Sequence, residues 1–210
     1  MIFKEFKYLY PPRPKNPITW DELKSIENRG NYIAQYKKNG TCALIYCSPE
    51  GEVLHYSRHK EKHKAWTPPT HIDDFFRGIA CNKKWYVFVA ELLHSKGGGF
   101  RDVLYLHDIL VHADEYLVGT TYENRFKILK SIFPEEKVEA QSHFVITENI
   151  WIAKNFSSNF ETLYKGIKDP KVDEGLVLKA LDLPLQFCIQ EDSNSGAQLK
   201  CRYSTKNYGF

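Results

Sequence analysis

No run of 18 apolar residues occurs in this chain, so a membrane-spanning helix is excluded by length alone. Met1 to Lys7 contains no apolar stretch of the signal-peptide kind. The five cysteines, Cys42, Cys47, Cys81, Cys188 and Cys201, include no C-x-x-C pair. An odd count without paired spacing reads as reduced thiols in a cytoplasmic protein, without a zinc site. Charge of one sign is also missing: 29 basic residues face 26 acidic ones, for a net +3. That balance permits a phosphate-rich partner without demanding one, because a basic groove can hide in a near-neutral total. Repeats, low-complexity tracts and an interdomain linker are absent, so residues 1–210 read as a single domain.

What is present is the composition of a folded chain. Apolar residues make up 42% and aromatics 14%, which argues against disorder and for a sheet-rich interior. Pro11, Pro12, Pro14 and Pro17 predict an extended surface arm. Thr19, with Glu22 three positions on and apolar Leu23 and Ile26, predicts a helix start, so that residues 1–30 form an arm and a helix. Alternation and turn residues predict strands over 32–37, 42–47, 53–58, 85–93, 103–111, 143–146, 176–180, 185–190 and 198–203. Asn39-Gly40 is read as the tight turn of a hairpin between the first two. Helices are predicted over 72–79, 124–133 (stopped by Pro134) and 159–166, and a basic, His-containing loop over 59–70.

Five short segments stand at predicted strands or strand ends: Tyr36-Lys37-Lys38-Asn39-Gly40-Thr41, Tyr56-Ser57-Arg58, Phe88-Val89-Ala90-Glu91, Glu174-Gly175 with Lys179, and Lys200-Cys201-Arg202. A lysine becomes a nucleophile when neighbouring cations and partial burial favour its neutral amine. Lys37 is the candidate, whereas Lys38 belongs to the opposite strand face and is assigned to solvent. Glu91 is a carboxylate inside an apolar strand, costly unless it has a partner. Lys200 and Arg202, one residue apart, share a face, as a phosphate clamp needs. Arg58 offers bidentate phosphate contacts. The Gln35 amide offers both a donor and an acceptor to a base.

In order and spacing these segments resemble the covalent nucleotidyltransferase superfamily, which comprises ATP-dependent DNA ligases, RNA ligases and mRNA-capping guanylyltransferases. The resemblance runs from about Ile33 to the C-terminus. It implies an α+β fold with two antiparallel β-sheets flanked by helices and a nucleotide cleft between them. It implies that Lys37 takes a nucleoside monophosphate from ATP, with Mg²⁺ or Mn²⁺ held by Glu174 and Glu91. Glu174, Lys200 and Arg202 would act at the α-phosphate. Gln35, Tyr36, Asn39, Gly40, Arg58, Glu91, His107 and Lys179 would line the nucleotide, with His107 stacked on the base and Gln35 facing adenine N6 or guanine O6. The segment Leu104 to Val111, followed by Gly119 and Arg125, resembles the base-covering segment of ligases and capping enzymes. The implied partner is nucleic acid with 5′-phosphate and 3′-hydroxyl ends, joined by a monomer. Asn39 stands where many ligases have Asp, and Cys42 where many DNA ligases have Arg. A GTP-dependent capping enzyme and a non-catalytic nucleic-acid-binding relative are the alternatives. The resemblance also leads to the expectation that no OB-fold domain follows.

Overall fold

Apolar alternation along the strands builds two sheets, each covered on one face by helices, in the computed structural model. It describes residues 9–63, 66–94, 99–133, 138–187 and 198–203. Of the positions covered above, 1–8, 64–65, Pro134 and 188–190 lie outside these residues.

The smaller sheet contains β1 (Asn16–Pro17), β2 (Tyr32–Lys38), β11 (Asp173–Ala180) and β12 (Gln198–Arg202), in the order β1-β12-β11-β2. The larger one contains β3 (Thr41–Cys47), β4 (Val53–Tyr56), β5 (Tyr86–Leu93), β6 (Val103–His112), β8 (Val138–Glu139), β9 (His143–Val145) and β10 (Ile150–Ala153). Its order is β4-β3-β5-β6-β10-β9-β8, with β7 (Glu115–Tyr116) folded back on β6. Four α-helices complete the described residues: α1 (Leu23–Asn28), α2 (Thr70–Ile79), α3 (Tyr122–Ile132) and α4 (Phe160–Lys165).

The α+β class agrees with expectation, but the sheets are mixed rather than antiparallel. β1 runs parallel to β12, and β6 parallel to β10. Alternation reports which face a residue occupies and not the direction of its partner. The expected hairpin at Asn39-Gly40 is also absent. β2 pairs with β11, whereas β3 pairs with β4 and β5, so the chain crosses from one sheet to the other at this turn. Gly40 is needed for close passage along β5. A Cβ there would lie 2.5 Å from the Leu92 carbonyl oxygen and 2.7 Å from Glu91 Cγ. Residues 185–187 form no strand, and Pro184 makes only an isolated bridge to Thr121. Its ring nitrogen has no N–H to extend a ladder.

The cores follow from the alternation. Leu23, Ile26, Phe160 and Tyr164 of α1 and α4 bury Ala34, Leu176, Leu178 and Cys201 on one face of the smaller sheet. On the larger sheet, Phe76 of α2 and Phe133 after α3 meet Phe88 of β5. Burying each such side chain contributes roughly 1.5–3 kcal/mol. The remaining faces of the two sheets turn toward one cleft.

Candidate active site

The same alternation selects the cleft residues. On β2 it presents Gln35 and Lys37, on β5 Val89 and Glu91, on β11 Val177 and Lys179, and on β12 Gln198, Lys200 and Arg202. Together with Tyr105, His107 and Arg58 they line a cavity of about 890 Å³. The N-terminal arm closes one side with Arg13 and Lys15. It is held there because β1 pairs with β12 and Ile18 N donates to the Lys200 carbonyl at 2.9 Å.

At the foot of the cleft lies the Lys37 amine, 2.6 Å from Glu174 Oε2, with Arg202 Nη1 3.7 Å from the same oxygen. Two local irregularities bring these groups together. The β2–β11 register passes from Asp173–Lys38 to Gly175–Lys37, which leaves Glu174 as a bulged residue. A bulge re-aims its side chain out of the normal alternation. Gly175 lies between Lys37 and Arg202 on neighbouring strands, at φ +147. A Cβ there would sit 1.9 Å from the Cys201 carbonyl oxygen, so only glycine lets the strands close and the three charges converge. Burial lowers the pKa of Lys200, and the charges of Arg202, Lys37 and Arg13 lower it further against the pull of Glu174.

The other end of the cleft is equally specified. Between the pairs Val89–Asp108 and Ala90–Leu106, β6 carries one extra residue, His107. Burial, aided by the Lys179 charge, holds its imidazole down to about 3, so the ring is neutral at ordinary pH. Lys179 Nζ donates to the His107 carbonyl at 2.9 Å and lies 4.6 Å from the Tyr122 ring centroid. Gln35 Nε2 donates to Tyr122 Oη at 2.9 Å and Asn155 Oδ1 at 2.8 Å. With both amide hydrogens so used, its Oε1 remains as an acceptor.

Lys179 is 2% exposed, and burial pulls its ammonium from 10.5 to about 7, against the favourable Asp108 charge. The unfolded chain therefore binds this proton more readily between those two values. Stability falls as pH drops through that window and rises as pH climbs through it. The wild-type chain gains resistance to urea from about pH 7 to about pH 9. Lys179→Met loses that gain, and unfolding midpoints of both chains at the two pH values check it.

Four expectations need correction or refinement. Lys38 is not in solvent: it is 5% exposed, 2.7 Å from Asp173 Oδ1, and donates to Ser142 Oγ at 3.0 Å. A bulge next to it and a loop above it supply partners that strand alternation does not reveal. The Tyr36 ring lies in the helix-covered core, edge-on to Phe156, and its hydroxyl accepts from Gln141 Nε2 at 3.1 Å. The ring thus packs in the core, although Tyr36 also borders the cavity. Asn39 tethers the approach to β11, with Nδ2 donating to the Lys171 carbonyl at 3.0 Å and N to Val172 at 3.0 Å. Arg58 lies exposed beyond the end of β4, at the cleft rim, its Nε donating to His59 Nε2 at 3.1 Å.

Sequence reasoning passed over Arg13, Lys15, Tyr122 and Asn155. The arm cations carried a signal, being charges in a proline-stiffened segment. Tyr122 and Asn155 carried none, because their contacts to Gln35 span 87 and 120 residues.

No protein-family profile and no curated protein matches the sequence. Solved structures do match the fold. A mycobacterial DNA ligase D complexed with ATP and MES aligns with TM-score 0.64 and 18% identity over 94% of this chain and 62% of that one. The ligase domain of M. tuberculosis LigD gives TM-score 0.58 and 16% identity, over 94% and 62%. The ATP-dependent DNA ligase of bacteriophage T7, complexed with ATP, gives TM-score 0.58 and 14% identity, over 92% and 68%. This chain thus spans 62% of the length of the two ligase D chains. The likeness is one of fold, that of the nucleotidyltransferase domains of ATP-dependent ligases.

Proposed function

We propose that this chain is an ATP-dependent polynucleotide ligase acting through a covalent lysyl-AMP. The observation that carries the reading is the Lys37 amine 2.6 Å from Glu174 and facing a cavity lined by Lys200, Arg202, Arg13 and Arg58. An amine in that place meets the α-phosphorus of a nucleoside triphosphate whose phosphates lie against the cations. Lys37 Nζ forms the N–P bond while the bond to the pyrophosphate oxygen breaks, and the amine gives up its proton. Glu174, already bonded to that amine, is the acceptor nearest to hand. Lys200 and Arg202 stabilise charge on the α-phosphate oxygens as it develops. AMP then passes to a 5′-phosphate on nucleic acid, and a 3′-hydroxyl displaces it to seal the strand.

A divalent cation fits the donors on this face. Glu174 and Glu91 line the cleft, while no cluster of three or more His, Cys, Asp or Glu forms a protein-only cage among the described residues. Mg²⁺ takes one or two carboxylates and completes its shell with phosphate oxygens and water. When bound, it would neutralise phosphate charge.

ATP is favoured over GTP by the bonds Gln35 already makes. The acceptor left free matches the adenine amino group and opposes guanine O6. Intact-mass measurement after incubation with Mg²⁺ and each nucleotide tests this. A gain of one AMP from ATP, and none from GTP, is expected. A gain of GMP would point to a capping-type enzyme. Salt-sensitive nucleic-acid binding without either adduct would point to a non-catalytic relative.

A further inference from the structure

We infer that Lys38 is a positioning residue, which holds the Lys37–Glu174 pair in place by clamping the end of β2 to the β11 bulge and to the second sheet. The inference rests on the reading of Lys37 as the nucleophile. Lys38 is next to Lys37, and its partner Asp173 is next to Glu174. The ion pair Lys38–Asp173, at 2.7 Å, thus sits directly behind the pair Lys37–Glu174, at 2.6 Å. Asp173 is the residue at which the register shifts to free Glu174 from the ladder. The bulge that aims the carboxylate is therefore held by a charge on the opposing strand.

The same amine reaches across to the larger sheet. Lys38 Nζ donates to Ser142 Oγ at 3.0 Å and lies 5.5 Å from the centroid of the Tyr105 ring. Tyr105 Oη is 3.4 Å from the Tyr36 carbonyl and 3.3 Å from the Ser142 carbonyl. Ser142 Oγ also contacts His143 Nδ1 at 2.9 Å, and His143 stacks on Trp151 at 4.0 Å. Both sheets are thus tied together at the back of the cleft through one buried ammonium. A lysine buried this deeply carries a desolvation cost that a leucine would not. The return is a defined spacing between the cleft walls and a defined direction for Glu174.

The test uses the full chain as Lys38→Met, Asp173→Asn, the double variant and Lys38→Arg, all assayed well below their melting temperatures. Lys38→Met labels from saturating ATP roughly 10–100-fold more slowly with KM for ATP unchanged, as sub-ångström misplacement of a nucleophile does. The double variant is no slower than the slower single one, because the two side chains act as a unit. Lys38→Arg recovers part of the rate by keeping the charge. Lost stability alone would reduce the labelled fraction and not the rate per folded molecule.

A second readout needs no ATP. Acetylation of Lys37 by acetic anhydride, mapped by peptide mass spectrometry, rises several-fold in Lys38→Met and in Glu174→Gln, since both free the amine from its carboxylate. Wild-type labelling rate and wild-type Lys37 acetylation in a folded Lys38→Met chain overturn the inference. If the wild-type chain takes no label from ATP, the ligase reading fails, and the acetylation comparison alone decides the role of Lys38. If Lys38→Met does not fold, Asp173→Asn, which keeps the side-chain shape, gives the same two readouts with the same outcomes.

Discussion

Lys37→Ala takes up no AMP from ATP, with a loss of labelling of at least about 10³-fold, as removal of a covalent nucleophile produces. Lys37 is the cleft lysine held against Glu174, whereas Lys200, which lines the same cavity, is assigned to the phosphate oxygens. Lys38 is held by Asp173 and Ser142, and Lys179 lies against the His107 carbonyl. The variant remains folded, because the Lys37 side chain is part-exposed at the cleft and removing it opens no core cavity. Its circular dichroism and thermal midpoint stay close to wild type. Glu174→Gln gives a smaller loss, since the amide keeps the shape of the carboxylate but cannot take the amine proton. Gel autoradiography with α-labelled ATP, or intact mass, reads both variants. A Lys37→Ala chain that still gained one AMP would sink the choice of nucleophile.

The largest stability effect is expected far from that chemistry, at Arg125. Its guanidinium binds Asp108 through two parallel bonds, Nε to Oδ1 at 2.8 Å and Nη2 to Oδ2 at 2.9 Å, and donates from Nη1 to the Thr120 carbonyl at 2.8 Å. Side-chain exposures are 3% and 1%. Burial alone would raise the Asp108 pKa, but Arg125, with smaller help from Lys179 and His107, turns the net shift downward. Arg125→Met leaves a buried carboxylate unpaired, which costs about 3–5 kcal/mol. Against a total of roughly 5–15 kcal/mol for a domain, that loss decides whether the chain stays folded at physiological temperature. Urea unfolding measures it. Pairing Arg125→Met with Asp108→Leu restores part of the loss, since neither charge is then stranded. The wild-type pair stabilises the fold above the ordinary carboxylate range. Its contribution is lost as pH falls through the lowered Asp108 value. Asp108 directly follows the bulged His107, so loosening the pair also loosens the wall proposed to hold the base.

How much was legible in the sequence depends on whether a feature is local. The helices at 72–79, 124–133 and 159–166 were readable because capping and 3.6-residue periodicity act within a few turns. Most strands were readable because alternation has a period of two. The placing of Lys200 and Arg202 on one face followed from that same period. Unreadable were partner direction, the absence of a hairpin at Asn39-Gly40, and the burial of Lys38 and of the Tyr36 ring. Each is decided by residues distant in sequence.

By itself, then, the sequence determined the residue types and their order: a strand-end lysine, an acid before a glycine, and two late cations, on alternating faces of strands. Local sterics and backbone periodicity are enough to set those. Only the tertiary structure decided that Glu174 leaves its ladder to meet Lys37 at 2.6 Å, which partners each lysine takes, and which atom of Gln35 remains as an acceptor. Those outcomes depend on close packing between strands distant in sequence, where a single missing Cβ at Gly175 lets the charges converge.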